Sequence, residues 1–169
     1  MTPGSGISQA ESPELAHARE LARGSQNLPG AVLAGAGVAV ASAVAWALIT
    51  VATNYQIGFM AVAVGYAVGL TVRAVGRGFE PVFSFVGAGL AFVGCALGNL
   101  LTGCVMLAQY QNVGVMEVLG SLDFATAEKI MVATAQPMDL LFYGLAIWEG
   151  FRLSRLPMPA PQTPPAAPP

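Results

Sequence analysis

The sequence predicts an all-α integral membrane protein with four transmembrane helices, and its composition and charge distribution are the reasons. Only 9% of the 169 residues are charged, while 55% are hydrophobic. Typical soluble domains have about 25% charged residues. Charged residues are absent from residues 24–72 and again from residues 81–116. A transmembrane helix needs roughly 20 mostly apolar residues, so the first charge-free stretch is long enough for two helices.

The ends of the chain differ from its apolar middle. Residues 1–28 form a polar leader that we expect to be partly disordered, although residues 12–24 suit a short surface helix. Residues 29–156 form the predicted membrane domain. Residues 157–169 are a Pro-rich tail, and such a composition predicts an extended, unfolded segment.

Interruptions in the apolar pattern divide the membrane domain into four spans. A polar cluster at residues 53–56 splits the long charge-free stretch and predicts a very tight outer turn. Pro81 and Pro137 precede the third and fourth spans, because proline suits the first position of a helix. The predicted spans are residues 31–52, 57–75, 82–108 and 138–156.

The basic residues alternate between the two sides of these spans. Six of the seven lie on the side of the termini: Arg19, Arg23, Arg73, Arg77, Arg152 and Arg155. Lys129 alone lies on the opposite side. Because Lys and Arg accumulate in cytoplasmic loops, both termini are expected in the cytoplasm.

The loop at residues 109–137 is the one sizeable segment between spans, and it is predicted to be partly helical. Five of its residues share one helical face: Phe124, Ala127, Ile130, Met131 and Thr134. This pattern is typical of an amphipathic helix at the membrane interface. A helix packed as a lid on the outer end of the bundle fits the pattern equally well.

Small residues recur in the second and third spans. Gly65 and Gly69 form one GxxxG motif, and Gly94 and Gly98 form another. Such spacing lets two helix backbones approach closely in a bilayer. We therefore expect these glycines at helix interfaces, with the second and third spans as a tight antiparallel pair. Homodimerisation through the same stripe is the rival interpretation.

Polar residues within the spans are the candidate sites, because they are costly in a bilayer. Asp139 falls near the third position of the fourth span, where a carboxylate can accept backbone N–H groups. Glu149 lies deeper and is predicted to pair with Arg73, Arg152 or both. Asn99 is expected to make one interhelical hydrogen bond, with a place in a permeation path as the alternative.

Several classes of function are not supported by the sequence. The net charge of −2 gives no basic surface for nucleic acid. The only histidine, His17, lies in the polar leader, and Cys95 and Cys104 lack metal-ligand spacing. We therefore expect no catalytic residue, metal site or cofactor, and no enzymatic activity.

Three stretches resemble a family of small bacterial four-helix integral membrane proteins with no assigned activity. They are residues 55–69, residues 94–100 and the motif DLLFYGLAIWEGF at residues 139–151. Some members carry a cysteine-rich, zinc-ribbon-like N-terminus, whereas this chain has no cysteine before Cys95. The resemblance implies a bacterial inner-membrane protein with this topology, and it implies no reaction.

The expected function is structural: an adaptor or envelope-organising protein whose cytoplasmic tails are attachment points. The alternative is a small oligomeric transporter, or a proton- or ion-conducting protein, that uses Glu149 and Asn99. The expected partners are the lipid bilayer and either a second copy of the chain or another membrane protein.

Overall fold

The computed structural model describes residues 13–53 and 58–157, and this part of the chain is helical without strands. It contains seven helices, numbered here in chain order. They are α1 (Pro13–Gly24), α2 (Leu28–Thr53), α3 (Met60–Gly76), α4 (Pro81–Gln111), α5 (Val115–Gly120), α6 (Phe124–Thr134) and α7 (Pro137–Leu153).

Helices α2, α3, α4 and α7 pack into a bundle. Helices α3 and α4 occupy its centre, since each contacts the other and both α2 and α7. Within the described residues α2 and α7 do not contact each other. The core between these helices is rich in small and β-branched side chains around two large aromatic residues, Trp46 and Phe83.

The connection between α3 and α4 is short and tightly hydrogen-bonded. Arg77 adopts a left-handed conformation with φ of 48°, and its N–H donates to the carbonyl of Arg73. Pro81 occupies the first turn of α4, where its missing N–H costs no helical hydrogen bond. The chain thus reverses direction within five residues, and α3 and α4 run antiparallel.

Helices α5 and α6 fold against the far end of α4. Val118 of α5 joins Cys104 and Ala108 of α4 in a second small apolar cluster, with Ile130 of α6 packed against it. Asp123 caps α6 by accepting the N–H of Thr126 at 2.7 Å. Helix α6 lies at 104° to α7, and among the described helices it contacts only α4.

Two helices, α2 and α4, are long and apolar enough to cross a membrane. Helices α6 and α7 together would make a third if the bent pair is one span. Helix α3 is apolar but has only 17 residues, about 26 Å of helix, slightly less than the ~30 Å hydrocarbon core. The chain therefore has the helices of a membrane protein.

The observed helices lie close to the predicted ones. The surface helix predicted at residues 12–24 is α1, and the predicted helical part of the outer loop is α5 and α6. The predicted tight turn at residues 53–56 falls largely on residues 54–57, outside the described residues. Residues 158–169 of the Pro-rich tail also lie outside them.

Candidate functional site

A cleft of about 750 Å³ opens at the end of the bundle where α3 and α7 end and α4 begins. We call it the basic cleft, because four arginines line it with one glutamate. Its lining is Arg23, Arg73, Phe79, Glu80, Pro81, Arg152, Leu153, Arg155, Leu156 and Pro157. This volume is within the range of small-molecule sites, roughly 300–1,000 Å³.

Separate elements bring the four arginines to the cleft. Arg23, Arg73 and Arg152 lie in the last turns of α1, α3 and α7, and Arg155 follows α7 by two residues. The last turn of a helix suits a cation, because the macrodipole there is negative. Each arginine thus has a favourable local position, and the bundle brings the four positions together.

Hydrogen bonds between chain segments hold the walls of the cleft. The N–H of Asn27 donates to the carbonyl of Gly76 at 2.9 Å, which joins the start of α2 to the end of α3. The N–H of Leu156 donates to the carbonyl of Gly78 at 2.8 Å, which joins the segment after α7 to the α3–α4 connection. Ser154 at the end of α7 is fully buried, and its hydroxyl makes a local hydrogen bond to the carbonyl of Gly150 one turn earlier.

Among the side chains that the structure describes, only one of the four arginines is neutralised by an acid. Arg23 Nε lies 3.1 Å from Glu80 Oε1. The guanidinium of Arg155 lies over the ring of Phe151, 5.9 Å from its centroid, a distance typical of a cation–π contact. Arg73 and Arg152 have no acidic partner among these described side chains. Within the described side chains, the cleft therefore carries three positive charges that no acid neutralises.

The predicted pairing of Glu149 with Arg73 or Arg152 is wrong. No ion pair within 4.0 Å joins these side chains, all of which lie in the described residues. Arg73 and Arg152 line the basic cleft, and Glu149 does not. The carbonyl of Glu149, rather than its carboxylate, faces Gly69 of α3. The helices meet here through their backbones, which leaves the half-buried carboxylate outside the contact.

Asp139 lies at the third position of α7 and takes part in its capping. Its carboxylate accepts the N–H of Gln136 at 2.8 Å, and the Gln136 side chain accepts the N–H of Asp139 in return. This is the kind of contact that the sequence predicts for Asp139. The reciprocal capping box accounts for the acid at the start of an apolar helix.

Asn99 is buried between α4 and α7, with 5% of its surface exposed. Tyr143 of α7 donates its hydroxyl to the carbonyl of Cys95, one turn before Asn99 on α4, at 3.2 Å. Asn99 does not line the basic cleft. Tyr143, to which the sequence pattern gives no role, therefore makes a hydrogen bond between α7 and α4 beside Asn99.

The four glycines of the two GxxxG motifs are all buried. Their contacts differ from the expected pairing of the second and third spans. A Cβ at Gly65 would lie 2.7 Å from Cα of Ala146, and one at Gly69 would lie 3.4 Å from Cα of Gly150. The first motif thus packs on α7 and not on α4.

The second motif packs mainly towards α2 and α3. A Cβ at Gly94 would lie 2.8 Å from Val64 and 3.3 Å from Ala39, and one at Gly98 would lie 2.7 Å from the Trp46 ring. Both motifs therefore lie inside the bundle, each against different helices.

The cleft itself was missed at the sequence level. The sequence pattern indicates only an orientation role for Arg23 and Arg155, and it indicates no role for Glu80. A signal was present, since all the cleft arginines fall on one predicted side of the membrane domain. Their convergence depends on which helix ends are neighbours, and the sequence pattern does not specify this.

The chain matches no family model, no curated protein and no solved structure. Its function is therefore inferred from the packing of the bundle and the geometry of the basic cleft.

Proposed function

We propose that this chain is a four-span protein of the bacterial cytoplasmic membrane that acts as a structural scaffold or adaptor. In this proposal α2, α3, α4 and α7 are the spans, both termini are cytoplasmic, and the basic cleft lies at the cytoplasmic interface. The protein carries out no reaction. Its partners are the bilayer and either a second copy or another membrane protein.

The length of α4 supports a transmembrane position for the whole bundle. Helix α6 contacts α4 at Gly103, where Ile130 packs. Gly103 lies 22 residues after Pro81, which is about 33 Å of helix and close to the ~30 Å hydrocarbon core. With the arginines at one interface, α6 then lies at the other, in the membrane plane. This arrangement favours the interfacial helix over the lid.

The observation that best supports a structural role is the direct backbone contact that α7 makes with both α3 and α4. Gly65 and Gly69 of α3 meet the α7 backbone, and Gly87 of α4 meets Gly150 of α7. Close approach of this kind maximises van der Waals packing in a bilayer. It also leaves little space between these helices for a solute.

The polar groups proposed for conduction are separated in this packing. Asn99 lies one turn after Cys95, the hydrogen-bond partner of Tyr143, and Tyr143 precedes Glu149 by six residues, about 9 Å along α7. A scaffold role accounts for Asn99 as an interhelical hydrogen bond and needs no path between the two groups.

Flux measurements test this proposal against conduction. The purified full chain is reconstituted into liposomes that enclose a pH-sensitive or ion-sensitive dye, beside protein-free liposomes and the Glu149→Gln variant. We expect dye responses equal to those of protein-free liposomes for both chains. A proton or ion flux that the parent supports and Glu149→Gln abolishes would overturn the scaffold proposal.

The adaptor role predicts that the Pro-rich tail recruits a partner. Affinity capture from detergent-solubilised membranes should recover the same membrane protein with the full chain and lose it when residues 157–169 are removed. Recovery that does not change on truncation would exclude the tail as the attachment point.

A further inference from the structure

The basic cleft combines three features of an anion site, and the first is its charge. Arg73, Arg152 and Arg155 have no acidic partner among the side chains that the structure describes, and Glu80 pairs with Arg23. Like charges placed together without counter-ions repel each other, which costs free energy. A bound anion removes this repulsion, so the cleft is suited to a ligand with two or more negative charges.

The second feature is the kind of donor. Each guanidinium presents five N–H groups in a planar fork that matches the oxygens of a phosphate group, often through two parallel hydrogen bonds. Arg155 is oriented by its contact with the Phe151 ring, 5.9 Å from the centroid. The segments that carry Arg73 and Arg155 are joined to their neighbours by backbone hydrogen bonds. The donors are therefore partly preorganised, which lowers the entropic cost of binding.

The third feature is an apolar lining beside the charges. Phe79, Pro81, Leu153, Leu156 and Pro157 provide the remaining walls of the cleft. Such a site can accept the apolar part of an amphiphile next to its charged group. Basic pockets between helices at a membrane interface are suited to anionic lipid headgroups.

We propose that the basic cleft binds a phosphate-bearing anion through Arg73, Arg152 and Arg155. Two sources of this chemistry fit the cleft: the headgroup of an anionic phospholipid and a soluble phosphate compound. This inference goes beyond the scaffold proposal and does not depend on it, because the cleft and its charges are properties of the fold. A protein that conducts ions would retain the same binding site.

The experiment measures thermal unfolding of the purified full chain in non-ionic detergent. One set of titrations adds diphosphatidylglycerol, phosphatidylglycerol or phosphatidylcholine in mixed micelles, and another adds inorganic phosphate or pyrophosphate. We expect the anionic lipids to raise the midpoint of unfolding and phosphatidylcholine to leave it unchanged. The effect should weaken as salt is added, because the interaction is between charges.

Variants locate the binding to the cleft. Loss of one charged hydrogen-bond donor costs roughly tenfold in affinity. Arg152→Gln with Arg155→Gln should therefore weaken binding by about a hundredfold, and both side chains are exposed, so the fold should tolerate the change. Arg73→Gln should weaken binding about tenfold. Arg77→Gln is the matched control, since Arg77 lies at the same end of the bundle without lining the cleft.

The outcomes separate the two sources and can overturn the proposal. Binding of the anionic lipids that the cleft variants weaken and Arg77→Gln preserves supports a lipid ligand. Binding of phosphate or pyrophosphate alone, with the same variant pattern, supports a soluble phosphate compound. The proposal is wrong if the parent responds to none of these probes, or if Arg77→Gln weakens binding as much as the cleft variants do.

Discussion

At the scale of single residues, the role of a glycine or a charged side chain in this bundle depends on the atoms that it contacts. Gly65 meets the backbone of Ala146, whereas Gly144 on the same pair of helices has open space where a Cβ would lie. Both are glycines in apolar helices, and the sequence alone treats them alike. Gly150, outside the GxxxG motifs, turns out to meet Gly87 of α4.

The contrast between Gly65 and Gly144 gives a direct test of the helix contact. Gly65→Ala forces a methyl group against the backbone of α7 and should cost about 1–3 kcal/mol of stability. Gly144→Ala adds a methyl group in open space and should be neutral or stabilise by up to about 1 kcal/mol, because alanine favours a helix. Unfolding in a detergent titration measures both. Equal stability of the two variants would place Gly65 outside the interface.

The separation of Glu149 from Arg73 predicts independent effects on stability. Side chains that do not interact give additive changes, within about 0.3–0.5 kcal/mol. The free-energy changes for Glu149→Gln and Arg73→Gln should therefore sum to that of the double variant, as measured by unfolding in detergent. A coupling free energy above about 1 kcal/mol would restore the predicted ion pair.

At the scale of helices, the apolar pattern predicts well which segments are helical and where each helix begins and ends. The first predicted span, residues 31–52, corresponds to Leu28–Thr53, and the fourth, residues 138–156, corresponds to Pro137–Leu153. Proline at the helix starts and long charge-free stretches are local signals, so sequence reasoning can use them. The capping role of Asp139 was predictable for the same reason, since its partner Gln136 is only three residues away.

Which helix packs on which was not predictable from these signals. A GxxxG motif indicates a close neighbour without specifying it, and the first motif packs on α7 rather than on α4. The basic cleft depends on the same choice, because Arg73 and Arg152 meet only when α3 and α7 end together. The arginines of the basic cleft can be found in the sequence, but only the tertiary arrangement shows that they lie together.

Helix α6 gives a prediction about depth in the bilayer. Phe124 is 87% exposed, whereas Ile130, which the sequence predicts on the same face, packs on α4, so Phe124 departs from the expected face. If α6 lies in the membrane interface, Phe124 contacts lipid. A nitroxide attached to Phe124→Cys should then be more accessible to oxygen than to a water-soluble nickel complex. Cys95 and Cys104 are fully buried and should not be labelled.

The matched site for this measurement is Glu128, which is exposed on the same helix. A label at Glu128→Cys should show the reverse preference, because a charged side chain faces water. Equal access of the nickel complex to both sites would show that α6 is a solvated lid.

The start of α6 should depend on pH through Asp123. Its hydrogen bonds with Thr126 lower the pKa of the carboxyl group. A lowered pKa in the folded state stabilises the cap above the ordinary pKa of aspartate, and this stabilisation is lost as the pH falls through the lowered value. Hydrogen-exchange protection of the Thr126 amide, corrected for the intrinsic rate, should decrease over that range. Asp123→Asn removes the titrating carboxyl group, so the protection of the Thr126 amide in this variant should not change with pH.

At the scale of the whole molecule, the two ends of the bundle have different surfaces. One end carries the basic cleft, with the chain segments before α2 and after α7 hydrogen-bonded beside it. The other end exposes large apolar and aromatic side chains on and around α5 and α6: Tyr110, Met116, Phe124 and Val132. A bilayer oriented by the positive-inside rule would place the first end in the cytoplasm.

This polarity predicts the side of the membrane for two positions in the chain. A reporter fused after Pro169 should lie in the cytoplasm, because six of the seven basic residues fall on that side. A reporter inserted after Asn112, which follows α4, should lie on the opposite side. Fusions to alkaline phosphatase, active only outside the cytoplasm, and to a fluorescent protein that folds in the cytoplasm measure both positions.

The comparison of the two positions also counts the spans. If α7 crosses the membrane, a single span separates Asn112 from Pro169, and the reporters lie on opposite sides. If only α2 and α4 cross, both positions follow the last span, and the reporters lie on the same side. Helix α7 has 17 residues, about 26 Å, which is close to the ~30 Å core, and the long side chains of Arg152 and Arg155 at its end can reach the headgroups. We therefore expect opposite sides, and reporters found together would reduce the bundle to fewer spans and remove the cleft from the cytoplasmic interface.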